Sequence, residues 1–121
     1  MKIIDANIVL RYLLKDDKKL FAKAVEIIEN GDVFITNEII AEIVYVLEKV
    51  YIVPKLEISE VLTSFFSSAI IILADKELII QALNYYEKHN LDFVDSVLLA
   101  YNKINKYEII TFDKKLTKLL K

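Results

Sequence analysis

Four strand-like runs, each followed by stretches of helical periodicity and none joined to the next by a hairpin turn, constrain this chain more than any other feature. The runs are Lys2 to Asp5, Val33 to Ile35, Ala69 to Leu73 and Glu108 to Phe112. Strands that return through helices rather than tight turns lie parallel, and a parallel sheet is covered on both faces. The expected order is β-α-α-β-α-α-β-α-α-β-α, a three-layer α/β/α sandwich around a central parallel sheet of four strands, or of five.

The helical stretches carry their own punctuation. Ile8, Val9, Tyr12 and Leu13 share a face, and Lys18 to Glu29 predicts a second helix with Phe21, Ala24, Val25 and Ile28 inward. Asn30-Gly31-Asp32 is a turn around the sole glycine. Thr36 or Asn37 caps the next helix, which buries Ile39, Ile43, Val46, Leu47 and Val50 and stops before Pro54. Another helix runs from Leu56 to Phe66. Asp75 opens one whose inner face is Leu78, Ile79, Ala82, Leu83 and Tyr86. Asp92 caps one with Phe93, Val97, Ala100, Tyr101 and Ile104 inward, and Lys114 to Leu120 forms the last.

The chain has 121 residues, enough for a single domain over 1–121. Hydrophobic residues make up 55% of it, which implies a core and a partner interface. The longest apolar run, Ala69 to Ala74, is far shorter than the roughly 20 residues that cross a bilayer, so no membrane is expected. Without cysteine or a leader-like segment, a reducing cytoplasm is the natural setting. A net charge of −2 means that any nucleic acid must be held by local basic groups or by bound metal.

Four acids stand where an open parallel sheet places its ligands, at the carboxyl ends of strands. Asp5 ends the first run and Asp113 the last. Asp95 lies in the first turn of the helix before the last run. Glu42 lies among Ile39, Ile43 and Val46, where a core should shun a carboxylate. Converging carboxylates raise one another's pKa unless a cation offsets them. Oxygen donors without cysteine or a histidine pair suit Mg2+ or Mn2+. Such an ion can activate water and neutralise charge on a phosphodiester. Capping is the plain alternative for Asp5 and Asp113, and the expected role of Asp92.

Residues Met1 to Leu13, with Asp5 and Asn7, resemble the opening motif of PIN domains, particularly VapC toxins. Asn37 to Leu47, with Glu42, resembles the second motif. Leu91 to Ala100, with Asp95, resembles the third, and Ile110 to Leu116, with Asp113, the fourth. The resemblance spans essentially the whole chain. It implies a Mg2+- or Mn2+-dependent endoribonuclease acting on RNA, neutralised by an antitoxin and commonly a homodimer. It further implies metal binding by Asp5, Glu42, Asp95 and Asp113, polar support from Asn7 and Thr111, and an RNA or antitoxin contact through Arg11. Two departures are Ala6, where the family often has threonine, and an end at Lys121 where many relatives add a strand.

Three other readings compete. A phosphatase or receiver-type domain needs a lysine near a later strand end, where this chain has Asp113. An RNA-processing nuclease outside a toxin–antitoxin system shares all four acids. A non-catalytic binding module would keep them as caps.

Overall fold

The computed structural model describes residues 1–120. Three short strands form one parallel sheet in the order β1-β2-β3: β1 (Lys2–Ile3), β2 (Val33–Phe34) and β3 (Ile71–Ile72). Lys2 pairs with Val33 and Val33 with Ile71, so the three carboxyl ends stand level. The ladder continues past the paired residues, with the Ile4 amide donating to Phe34 O and the Ile35 amide to Ile72 O. Each strand is brief because β-branched side chains carry it only until a polar residue opens the next helix.

Among the described residues seven α-helices surround the sheet: α1 (Ala6–Leu14), α2 (Lys18–Glu29), α3 (Asn37–Tyr45), α4 (Lys55–Phe66), α5 (Lys76–Lys88), α6 (Phe93–Asn105) and α7 (Lys114–Leu119). Five begin on a side-chain cap. Asp5, Asp17, Thr36, Asp75 and Asp113 each accept from the amide three residues on. Each such bond satisfies an amide that the helix cannot, and stabilises by about 1 kcal/mol. Gly31 turns the chain from α2 into β2 at φ +80°. A Cβ there would meet only Ile70 Cγ2 at 3.9 Å, so backbone conformation rather than space calls for glycine.

The main core runs from Ile4, just past β1, through Val33 of β2 and Ile35 just beyond it, to Ile71 of β3 and Leu73 just beyond that. It is closed by Ile40 and Ile43 of α3, Ile58 and Leu62 of α4, and the five expected inward residues of α5. Burying side chains of this size stabilises the fold by about 1.5–3 kcal/mol each. Tyr86 lies wholly in this core, and its hydroxyl donates to the Glu48 carboxylate. Lys55 Nζ lies 4.6 Å from the centre of the Tyr86 ring and donates to Leu91 O at 2.6 Å.

Two expectations need correction here. The helix after β2 does not stay α-helical to Val50: residues Val46–Val50 form a wider π turn closed by the Tyr51 amide on Val46 O at 3.1 Å. That turn leaves Val50 exposed and aims Glu48 at Tyr86. The sheet has three strands, not four or five. Residues 106–113 form no strand, and Ile110 is 82% exposed and Phe112 fully so. The segment is held to α6 instead. Asn102 Nδ2 donates to Tyr107 O at 2.9 Å, and the Tyr101 and Tyr107 rings stack 6.0 Å apart. Ile109 joins a small cluster with Leu91, Leu99 and Leu116 rather than the main core. An apolar run with a local cluster to join is not drawn into a sheet by its pattern alone.

Candidate active site

Asp5 leaves β1 and caps α1, its Oδ1 accepting from the Ile8 amide at 3.1 Å while the side chain stays exposed. At the level end of β2, Thr36 caps α3 through Oγ1. Asn37 follows, and its Oδ1 is buried with no donor in reach. Sequence reading weighed Thr36 and Asn37 only as rival caps. Since one cap suffices, the dipeptide was itself a signal that the second polar group has other work.

Glu42 does not lie in the core. The buried face of α3 is Ile40, Ile43 and Val44, continued by Leu47, whereas Ile39 and Val46 are only partly covered and Glu42 is exposed. The expected inner stripe was rotated from the real one, and the carboxylate needs no special explanation for its burial. An exposed carboxylate at this place is open to a ligand.

Asp95 and Asp113 are the acids that the structure brings within electrostatic reach of each other. Asp95, half-buried in the first turn of α6, has its pKa raised by burial first, then by the negative charges of Asp113 and Asp92. Asp113 caps α7 through Oδ2 on the Leu116 amide at 2.7 Å. Thr111 Oγ1 accepts from the Asp113 amide at 3.0 Å, which fixes the backbone that presents this acid. Asn7 is exposed in the first turn of α1.

Asp92 occupies the cap position of α6 but makes no capping bond, contrary to the sequence expectation. Asp92 lines a cleft beside α3 instead.

Arg11 is committed within the chain. Its Nη1 donates to both carboxylate oxygens of Asp16 at 2.8 Å and its Nη2 to the Tyr51 hydroxyl at 3.0 Å. These partners, the Tyr51 bond first, raise its pKa against the cost of burial. Its Nε is buried without a partner. The clamp ties α1, which Asp5 starts, to the end of the π turn that follows Glu42's helix. Tyr51 was not singled out in the sequence because its partner lies 40 residues away.

Among the described residues, no three of His, Cys, Asp and Glu stand close enough together to hold a metal ion. The donor chemistry nonetheless fits a hard cation: carboxylates from three helix starts and α3, with a buried amide oxygen that lacks a donor.

The family model for the PIN domain matches residues 2–120, and the chain belongs to that family. It is also similar to a VapC ribonuclease of Aquifex aeolicus (strain VF5), 26% identical over 126 residues that take in 98% of this chain and 92% of the relative. No solved structure matches the chain.

Proposed function

We propose that this protein is a divalent-metal-dependent endoribonuclease that hydrolyses RNA phosphodiester bonds as the toxin of a toxin–antitoxin pair. The observation that carries the reading is Asp95, half-buried in the first turn of α6, whose charge is opposed by burial, by Asp113 and by Asp92, with no cation among the described residues offsetting them. A structural carboxylate gains a donor or a cation. One held against like charges is poised for a ligand that brings positive charge. The likeness to a VapC ribonuclease supports the same chemistry.

Asp5, Glu42, Asp95 and Asp113 would hold Mg2+ or Mn2+, and the ion when bound supplies a more acidic water and neutralises charge on the phosphate. The chain's own residues set the stage. Asp5 and Asp113 are oriented by the amides they cap, and Thr111 fixes the backbone of Asp113. Asn7, exposed in the first turn of α1, would orient water or a phosphate oxygen. Asn37 Oδ1 is free to accept from water. An RNA or antitoxin contact through Arg11 would have to draw on a guanidinium already engaged by Asp16 and Tyr51. An antitoxin finds a suitable surface in the apolar groove of about 500 Å3 between α1 and α4, lined by Tyr12, Leu13, Val61, Phe65 and Ile70.

The exposed apolar residues Ile3, Ile110 and Phe112 fit a homodimer, expected in light scattering near twice 14.0 kDa. As a toxin acting on cellular RNA it would work in the cytoplasm; no helix among the described residues is long and apolar enough to cross a membrane.

A second reading, the non-catalytic binding module, is favoured by the lack of a ready cluster of three acids among the described residues. The deciding experiment is cleavage of a mixed structured RNA pool with Mg2+ or Mn2+, wild type beside Asp95→Asn. Cleavage that stops with chelator and in the variant supports the nuclease. A folded wild type that neither cuts RNA nor takes up either ion in calorimetric titration leaves the binding module.

A further inference from the structure

A cleft of about 370 Å3 opens between α3, its π turn and the start of α6. Phe93 forms part of its wall, and Tyr45 and Val94 stand at its mouth, both well exposed. Its polar lining is Glu48, Lys49 and Asp92. Two of these are partly spent on each other. Glu48 accepts from the Tyr86 hydroxyl and pairs with Lys49 at 3.1 Å. Burial pushes the Glu48 carboxyl upward, but the two donors outweigh it and hold the group below its ordinary range. Asp92 is different: it sits where an aspartate normally caps a helix, yet it makes no capping bond, lines the cleft and acts on Lys49 by charge alone.

The charge of the lining, two carboxylates against one ammonium, repels a phosphate. A flat, neutral group rich in N–H donors suits it, with an aromatic ring to stack upon. Among RNA bases only guanine offers two adjacent N–H donors on its Watson–Crick edge, at N1 and N2, beside the O6 acceptor. A carboxylate accepts that pair in parallel, and an ammonium with donors to spare can reach O6. Adenine and cytosine set a ring acceptor beside their amine, and uracil flanks one N–H with two carbonyls. Each would bring an acceptor against a carboxylate.

The cleft adjoins the acids already described. Ala41 in its wall precedes Glu42, and Asp92 lies one turn ahead of Asp95 and is felt by it.

We propose that this cleft is a guanine-binding subsite that selects the nucleotide beside the cleaved bond. Tyr45 stacks on the base, Asp92 accepts from its N1 and N2 donors, and Lys49 donates to O6. The assignment rests on the nuclease reading for the identity of the polymer.

The test is equilibrium binding by fluorescence anisotropy in Mg2+, in an Asp95→Asn background so that RNA is not cut. The probes are labelled oligouridine hexamers carrying one central guanosine, inosine or adenosine. Inosine lacks only the N2 amine. The expected result is guanosine over inosine by about tenfold, in line with loss of one good base-edge contact. Adding Asp92→Asn should erase that preference, because an asparagine offers one acceptor and one donor where guanine needs two acceptors. Asp92 is exposed and caps nothing, so this variant keeps its fold. Adding Tyr45→Ala should weaken all three probes alike, by several-fold. Binding without a guanosine preference, or a preference that survives Asp92→Asn, overturns the subsite and leaves the nuclease reading standing. Failure of the folded protein to bind any hexamer overturns the subsite, and the nuclease reading is then decided by the cleavage and metal-titration experiment on wild type. Conversion of a dimer to a monomer by Tyr45→Ala assigns the cleft to a second copy and overturns the proposal as well.

Discussion

The first and last apolar runs of the chain share a plan. Lys2-Ile3-Ile4-Asp5 and Ile110-Thr111-Phe112-Asp113 each lead into an aspartate that caps a helix. At the start, Ile4 is buried, its amide bonds to β2, and the run becomes a strand. At the end, Ile110 and Phe112 face outward, Ile109 joins a local cluster, and no strand forms. The aspartates nevertheless end in like roles, each with one carboxylate oxygen on an amide three residues on. The capping device is local and survives the loss of the strand, whereas the strand depends on a partner at the right height. A site built on capping aspartates can therefore be presented without a full sheet beneath every one of them.

The largest expected effect tests the packing half of that contrast. Ile4→Ala should cost roughly 2–5 kcal/mol in chemical denaturation, the range for truncating a core isoleucine. Ile110→Ala should stay within about 0.5 kcal/mol. Equal losses would break the comparison, because the last run would then be as tightly packed in solution as the first.

Next come the aspartates. Asp5→Asn and Asp113→Asn should each lower RNA cleavage by about two orders of magnitude, about 2.7 kcal/mol of transition-state stabilisation. Asparagine caps helices nearly as well as aspartate, so both variants should keep wild-type melting temperatures. If Asp113→Asn cuts RNA normally while Asp5→Asn does not, only the strand-borne acid serves the chemistry.

Replacing the same residues by alanine removes the cap too. Asp5→Ala and Asp113→Ala should each lose about 1 kcal/mol relative to the asparagine variants, read by thermal melting. A loss at Asp5 alone would mean that α7 contributes little to the fold.

The smallest effect belongs to Asp95. Its pKa in the folded protein lies above its ordinary value, so the folded state binds its proton more tightly than the unfolded chain does. Stability of the metal-free protein should then fall as pH rises from the ordinary carboxylate range through the raised value. Asp95→Asn should flatten that fall and raise the metal-free melting temperature slightly at neutral pH. A variant that melts lower than wild type would show that Asp95 is a structural group.

Much of this architecture was legible. The α2 helix from Lys18 to Glu29, the inward residues of α5 and the cap Asp75 follow from periodicity and cap chemistry, which act over a few residues. What was not legible depends on partners far away in the chain. The π turn aims Glu48 at Tyr86, 38 residues on, and leaves Val50 exposed, while Glu42 was misplaced within the regular part of the helix, whose buried face is Ile40, Ile43 and Val44. Asp92 has the sequence of a cap and lacks the bond, because local pattern cannot report a cleft formed by another helix. The four candidate acids are proposed from type and position. The structure adds the mutual repulsion of Asp95 and Asp113 and the open amide of Asn37.

Because β1, β2 and β3 stand side by side in the order of their synthesis, each new strand can dock on the one before it as it leaves the ribosome. No later strand has to be inserted between two earlier ones, so assembly never has to reopen a finished seam. Domains folded from the N-terminus forward gain from such an order, since a nascent chain offers only its earlier part as a template. Until β2 arrives, the exposed side of β1 is the most vulnerable surface of the emerging protein, and α1, capped locally by Asp5, is the element able to form beside it first.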